Sequence, residues 1–291
     1  MSKQDIIQAG KIASEVKDYA RKLIKPDMSL LEIAEKIESK IQELGGEPAF
    51  PTNLSINEIA AHYTPSHNDE SKASGLLKVD FGVHINGYLA DTAFSIDLEN
   101  SNENKKLIQA AEAALENASK EFEKGKTTSE IGEVIEKTIS EKGFQPIINL
   151  SGHSMEEYDL HAGITIPNIN DERRISIEEG LYAIEPFSTT GSGKVQDGNP
   201  SGIYQLQDNK KPRSPKAREV LEFIEENYST LPFCSRWLVK KFTPTVILAL
   251  RELEQNQNLH QYPQLVESSH AKVAQAENTI LINDEKIITT K

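Results

Sequence analysis

The sequence predicts an α+β chain built from two related halves, the second interrupted by a helical insertion. Three observations carry that prediction. A β-hairpin places two aspartates on one face, four segments recur in the same order later in the chain, and one pair of recurring acids is spaced far more widely than the other.

The hairpin runs from Leu77 to Leu98, LKVDFGVHINGYLADTAFSIDL. Two alternating apolar runs flank Asn86-Gly87, a strong signal for a two-residue type I′ turn. With Ile85 and Tyr88 closing the turn, Asp80 faces Ala93 and Asp91 faces Gly82. A period of two puts Asp80 and Asp91 on one face as diagonal neighbours, their Cβ atoms roughly 7 Å apart. Two carboxylates at that distance can converge on metal ions about 3.5–4 Å apart. Aspartate is depleted in strands, and both sit among Val, Phe, Ala and Leu. A metal site therefore outweighs a solvated hairpin face.

At 291 residues the chain can fill one large domain or two ordinary ones. A net charge of −13 and a pI of about 5.1 argue against a surface built to bind nucleic acid. The single cysteine, Cys234, excludes an intrachain disulfide framework and reads as a small buried hydrophobe. The first residues hold no signal-peptide run and no stretch approaches a membrane span, so a soluble, cytoplasmic protein is expected.

The chain opens with a helix whose stripe is Ile6, Ile7, Ala9, Ile12, Ala13, Val16, Ala20 and Leu23, ended by Lys25-Pro26. A second helix starts at Ser29, where Ser-x-x-Glu32 reads as a capping box, and stops at Gly45-Gly46. After a loop, a short extended segment and the hairpin, a third helix is expected from about Asn104 to Glu123. A fourth begins at Thr127, boxed by Glu130, and stops at Gly143.

The fourth helix repeats the second. A shift of 98 residues aligns Glu32 with Glu130, Ile37 with Ile135, Gly45 with Gly143 and Pro48 with Pro146, among nine identities in twenty positions. Asn53-Leu54-Ser55 recurs as Asn149-Leu150-Ser151, each followed by a histidine, His62 and His161. GLLKVD recurs as GLYAIE, which places Glu185 where Asp80 sits. ADTAFSI recurs as AENTILI, which places Glu277 where Asp91 sits. Four fragments in one order, two of them landing on acids, make a duplication the better reading than chance.

Eleven residues separate Asp80 from Asp91, whereas ninety-two separate Glu185 from Glu277. The insertion opens with STTGSGKVQDGNPSGIYQL, a linker composition. It continues into helical runs led by Ser214-Pro215. The catalytic body is then expected at 1–192 and 270–291, and the inserted subdomain at 193–269. Between Lys210 and Lys241 the insertion holds eight basic and four acidic residues. A solvated helix face is the simpler explanation, and a weak docking patch is the functional one.

Acids alone suit magnesium or calcium, whereas an added imidazole shifts preference towards manganese, iron, cobalt or zinc. No His-Glu-x-x-His or Gly-x-Ser-x-Gly is present, and the lone cysteine lacks a nucleophile signature. The chemistry left is metal-assisted attack by a bridging hydroxide.

Asp80, Asp91, His153 in SGH, Glu185 in IEPF and Glu277 in QAEN have the order and spacing of methionine aminopeptidases. The chain resembles the type 2 subfamily, in its short form without an N-terminal extension. FPTNLSINEIAAHYTP around His62, HAG at His161 and an insertion between Glu185 and Glu277 belong to the same pattern. The resemblance spans nearly the whole chain. It implies the pseudo-two-fold "pita-bread" fold with a small helical, winged-helix-like insertion.

It also implies a site. Asp80 would chelate one of two divalent ions, His153 and Glu185 the other, and Asp91 with Glu277 would bridge both. The ions would be cobalt, manganese, iron(II) or zinc. Glu185 would accept and shuttle the proton of the attacking water, and His161 would hydrogen-bond the carbonyl as it becomes an oxyanion. His62 would contact the amide on the leaving side, while Phe50 and Tyr262 would line the methionine pocket. Asn278 departs from the histidine of many relatives beside Glu277. His67, His84, His260 and His270 read as single surface histidines.

The expected function is removal of the initiator methionine from nascent proteins when the second residue is small. Partners would be nascent-chain N-termini and, through the basic patch, the ribosome; no DNA or membrane is expected, and the protein would be a monomer. A Xaa-Pro peptidase or prolidase shares the five ligands but usually carries a large N-terminal domain. A catalytically inert relative that binds proteins or the ribosome is the alternative from another class, although such relatives usually lose ligands.

Overall fold

The computed structural model describes residues 2–291. The first half opens with α1 (Lys3–Leu23) and α2 (Leu30–Glu43), then β1 (Glu47–Pro48), β2 (Asn53–Ile56) and β3 (Ile59–Ala61). The hairpin follows as β4 (Leu76–Ile85) and β5 (Tyr88–Asp97). Its register is the expected one: Ile85 pairs with Tyr88, Gly82 with Asp91 and Asp80 with Ala93. Asn86 and Gly87 take φ of 51° and 84°, as a type I′ turn requires of both central residues. The stripe of α1 (Ala9, Ile12, Val16) and that of α2 (Ile33, Ile37, Ile41) are buried with Val79, Phe81, Val83 and Phe94 of the hairpin.

The second half repeats the plan with α3 (Asn102–Glu121), α4 (Thr128–Glu141), β6 (Gln145–Pro146), β7 (Ser151–Met155), β8 (Thr165–Pro167) and β9 (Gly180–Ile184). Helix α3 starts two residues before its expected position because Ser101 is the residue that caps it, accepting the Asn104 N–H at 3.3 Å. Thr127 and Glu130 form the full reciprocal box on α4. Ser29 caps α2, but Glu32 pairs with Lys36 instead of completing a box. Leu107, Ala111, Ile131, Ile135 and Ile139 cover Tyr182, Ile184 and Ile280 of the second sheet.

After β10 (Phe187–Thr189) the linker-like run is not a linker: it contains β11 (Val195–Leu206). Asn149 anchors its start, accepting the Val195 N–H at 2.9 Å and donating to the Val195 carbonyl at 2.8 Å. Next come α5 (Pro215–Tyr228), β12 (Phe233–Cys234), α6 (Ser235–Phe242), α7 (Val246–Gln255) and β13 (Leu259–Glu267). The inserted segment is therefore three helices on a sheet, with a core of its own that includes Val220, Ile224, Phe233, Leu238, Leu250 and Leu253. It is also sewn to the body, since β13 pairs with both β11 and β3. The exposed first half of β11, residues 196–200, carries the composition of a linker, which is why the sequence misled.

The chain ends in β14 (Val273–Gln275), β15 (Asn278–Ile282) and β16 (Lys286–Ile288). Strand β15 pairs with β9 in a sheet ordered β16-β15-β9-β7-β8, and the two half-sheets meet at an isolated bridge between Ala93 and Glu277. No helix among the described residues is long and apolar enough to cross a membrane.

The register corrects two of the fragment alignments. Asn53 pairs with Asp80, and His153 pairs with Ala183, so Ser151 rather than Asn149 is the counterpart of Asn53. Asn278 pairs with Ile184, and Gln275 pairs with Phe187. Glu277 thus stands opposite Glu185, in the place Ala93 holds opposite Asp80, and the counterpart of Asp91 is Gln275. Both alignments slipped by two residues, a shift that keeps every side chain on its face and leaves an alternating pattern unchanged.

Candidate metal centre

The bridge that joins the half-sheets also brings the acids together. Glu277 donates its backbone N–H to the Ala93 carbonyl at 3.0 Å, and the Thr92 hydroxyl donates to the Glu277 carbonyl at 2.9 Å. The Thr279 hydroxyl accepts the Asp91 N–H at 2.7 Å and donates to the Asp91 carbonyl at 2.8 Å. Each half therefore fixes the backbone of an acid belonging to the other.

Asp91, His153 and Glu277 each offer an atom within 4.8 Å of the others, and all three are buried. His153 Nε2 lies 3.6 Å from Asp91 Oδ2. Asp80 and Glu185 stand outside this tight trio but line the same cavity, of about 320 Å³, together with Asp91 and His153. His62, His161, Phe50 and Tyr262 line it too. All the sequence-predicted site residues thus meet in one place, with Glu277 reached through the trio. Gly82, opposite Asp91, is what lets Phe50 lie against the hairpin: a Cβ there would come within 2.5 Å of the Phe50 ring.

The donor set fits divalent cations. Asp80 Oδ1, Asp91 Oδ1, His153 Nδ1 and both Glu277 oxygens are buried with no hydrogen-bond partner. Burial pushes the Asp80 carboxyl up to about 7, opposed by its hydrogen bond with Gln275. Burial, then repulsion from the neighbouring acids, holds Asp91, Glu185 and Glu277 well above the usual carboxylate range. Burial also lowers His153 to about 3, which leaves a neutral imidazole with a free lone pair. Packed carboxylates and a neutral imidazole, unpartnered in a low-dielectric pocket, are costly unless a cation is shared between them.

Three residues at the site escaped the sequence reading. Gln275 donates to Glu185 Oε1 at 2.6 Å. Asn53, opposite Asp80, is 4% exposed, lines the cavity and leaves its Oδ1 unpartnered. His260, read as a lone surface histidine, is exposed but meets Tyr262 edge-on, with ring centroids 5.0 Å apart. His84 is also corrected: it is half-buried and accepts the Gly87 N–H at 3.2 Å. Asn53 opened a recurring fragment and Gln275 lies two residues from Glu277, but neither pattern pointed to the site.

His62 adopts a left-handed φ of 63°, uncommon for a residue with a Cβ and a mark of functional segments. Its Nδ1 lies 3.1 Å from the Pro263 carbonyl, so the ring donates from Nδ1 and keeps Nε2 as an acceptor. Burial lowers it to about 4, and the ring is neutral. The His161 and His153 rings meet edge-on at 4.4 Å. His161 is exposed at the mouth, and its backbone N–H donates to Asp159 Oδ1.

A two-half α+β fold closing on buried carboxylates and an imidazole defines the class: a metal-dependent hydrolase. The chain belongs to metallopeptidase family M24, whose profile matches residues 4–284. It is 48% identical to the methionine aminopeptidase of Methanocaldococcus jannaschii over 99% of this chain and 98% of that protein. Among solved structures, a thermophilic Arx1 superposes with a TM-score of 0.84 at 17% identity, covering 98% of this chain and 89% of that one. The methionine aminopeptidase of Thermotoga maritima superposes at 0.71 and 21% identity, covering 100% and 98%. These likenesses establish the pita-bread fold.

Proposed function

We propose that the protein is an aminopeptidase that removes methionine from the N-terminus of peptides whose second residue is small. The observation carrying this reading is the cavity in which unpartnered Asp80, Asp91 and His153 meet Glu185, with Glu277 beside them. The full-length likeness to methionine aminopeptidases supports the substrate.

Asp80, Asp91, His153, Glu185 and Glu277 would hold two divalent ions. Such ions, when bound, lower the pKa of water and polarise a carbonyl. Glu185, its carboxyl raised by burial and by Asp80 and Asp91, takes the proton released by the attacking water and passes it to the leaving amine. Gln275 fixes one oxygen of Glu185, leaving the other for that transfer. His161 donates towards the carbonyl oxygen as charge develops. Nε2 of His62 accepts the N–H of the following residue, its tautomer held by Pro263. Phe50 and Tyr262 wall the space for the methionine side chain. Residues 193–269 act as the inserted subdomain on a body of 1–192 and 270–291.

The reading places the protein in the cytoplasm, acting on nascent N-termini. Exposed Lys210, Lys211, Arg213, Lys240 and Lys241 support ribosome docking. Arg236, counted in the same basic excess, takes no part because it is buried. The deciding experiment is release of methionine from Met-Ala-Ser by chelator-stripped protein resupplied with manganese, cobalt or iron(II), alongside Leu-Ala-Ser and Ala-Pro peptides. Metal-dependent cleavage of the methionyl peptide alone is expected. Preference for Ala-Pro moves the protein to the prolidase side of the family. Binding of metal without cleavage favours the inert, protein-binding reading.

A further inference from the structure

The insertion is locked to the body by one buried carboxylate. Glu38 on α2 accepts Nη1 and Nη2 of Arg236 at 2.7 and 2.8 Å, Nε1 of Trp237 at 2.9 Å and the Thr52 N–H at 3.2 Å. Arg236 is 3% exposed and Glu38 is 8% exposed. The remaining donors of Arg236 reach the Pro65 carbonyl at 3.0 Å and the Thr64 hydroxyl at 3.3 Å. That hydroxyl in turn donates to the Thr52 carbonyl at 2.9 Å.

Where these bonds land is the informative part. Thr52 is two residues from Phe50, and Thr64 is two residues from His62. Arg236, on the first turn of α6, and its partner Glu38 therefore tie together the two segments that present Phe50 and His62 to the cavity, Arg236 through Thr64 and Pro65 and Glu38 through Thr52. A planar fork fixes orientation as well as distance, and removing one partner strands a buried charge. Pro263, on β13 of the same insertion, holds the His62 ring through its carbonyl. Ile203, Pro232 and Tyr262 of the insertion complete that wall.

We propose that Arg236 and Glu38 are positioning residues through which the insertion sets where Phe50 and His62 stand against substrate. The pair touches neither substrate nor metal. It determines the fit of the methionine side chain and of the residue after it, and so governs second-residue selectivity. This rests on the aminopeptidase reading.

The test compares Arg236→Met with the double variant Glu38→Leu/Arg236→Met, which leaves no stranded charge. Hydrogen exchange, Mn²⁺ titration and steady-state kinetics on Met-Ala-Ser and Met-Val-Ser are measured on each. Both variants are expected to exchange faster across residues 50–65, with exchange at 151–155 and 278–282 and Mn²⁺ affinity unchanged. KM for Met-Ala-Ser is expected to rise by about 10-fold with kcat little altered, and the preference for Ala over Val to shrink. A double variant with unaltered KM and selectivity, losing only thermal stability, would reduce the pair to a structural contact and overturn the proposal. Unaltered exchange at 50–65, or lost Mn²⁺ affinity, overturns it as well. Exchange is read on the resting protein, so it decides the clamp even if no peptide is cleaved and the aminopeptidase reading fails.

Discussion

The two halves build their shares of one site in opposite ways. Asp80 and Asp91 lie in a single hairpin, as diagonal neighbours set by a two-residue turn. Glu185 and Glu277 stand directly opposite one another, on segments separated by the whole insertion. Closing ninety-two residues rather than eleven costs about 2 kcal/mol more in loop entropy. It also leaves register to the β9–β15 pairing and to the bridge at Ala93 instead of to a turn. The first half sets the spacing of its acids within one hairpin, although Thr279 of the second half holds the Asp91 backbone. The second depends on contacts made across the molecule, and with that dependence it gains room for a cavity wall contributed by the insertion.

The sharpest way to break the comparison is Glu277→Ala. It removes two buried, unpartnered carboxylate oxygens at the junction of the halves, and loss of Mn²⁺ binding together with at least ~10³-fold of activity is expected. Full Mn²⁺ affinity in that variant would take Glu277 out of the ligand set. His161→Ala should keep Mn²⁺ affinity and lower turnover by ~10²-fold, the scale of one oxyanion donor. Unchanged turnover would refute its role.

A third test concerns the return from the insertion to the body. Glu267 is fully buried and accepts hydrogen bonds from Ser192, Ser269 and Ala271. Burial pushes its carboxyl up, but the Ser192 and Ser269 hydroxyls and the Ala271 and Ser269 amides outweigh it and hold it at about 2, against an ordinary 4.5. The folded value lies below the unfolded one, so the stabilisation is present above 4.5 and lost as pH falls towards 2. Glu267→Gln should cost about 2–3 kcal/mol at pH 7. In urea unfolding between pH 5 and 3 the wild type should lose stability more steeply than the variant; parallel slopes would deny the linkage.

The smallest effect compares the repeated helices. Thr127→Ala, which breaks a complete box, should cost about 1 kcal/mol, and Ser29→Ala about half as much. Equal losses by thermal unfolding would show that the reciprocal Glu130 bond adds nothing.

Much of this was legible because it is local. The hairpin register follows from Asn86-Gly87 and a period of two, and the helices of the described halves follow from their stripes and caps. Asp80 and Asp91 stood out because acids in apolar strands conflict with propensity unless something binds them; Glu185 and Glu277 followed from the repeat, and His153 joined them only through the family resemblance. Gln275 and Asn53 stayed hidden because a polar residue at the end of a strand has many uses, and only its partners distinguish them. Strand β11 was hidden because its composition is that of a loop and its pairing partner, β13, comes more than fifty residues later.

By itself the sequence determined the kinds of element and the duplication, which rest on patterns within single strands and helices and on their recurrence. Tertiary structure alone decided the rest. It set Glu277 opposite Glu185 instead of in the place of Asp91, because a slip of two residues is invisible to an alternating pattern and only pairing resolves it. It also set Arg236 against Glu38, because a buried ion pair spanning nearly two hundred residues depends on how the insertion docks, and no local periodicity encodes that.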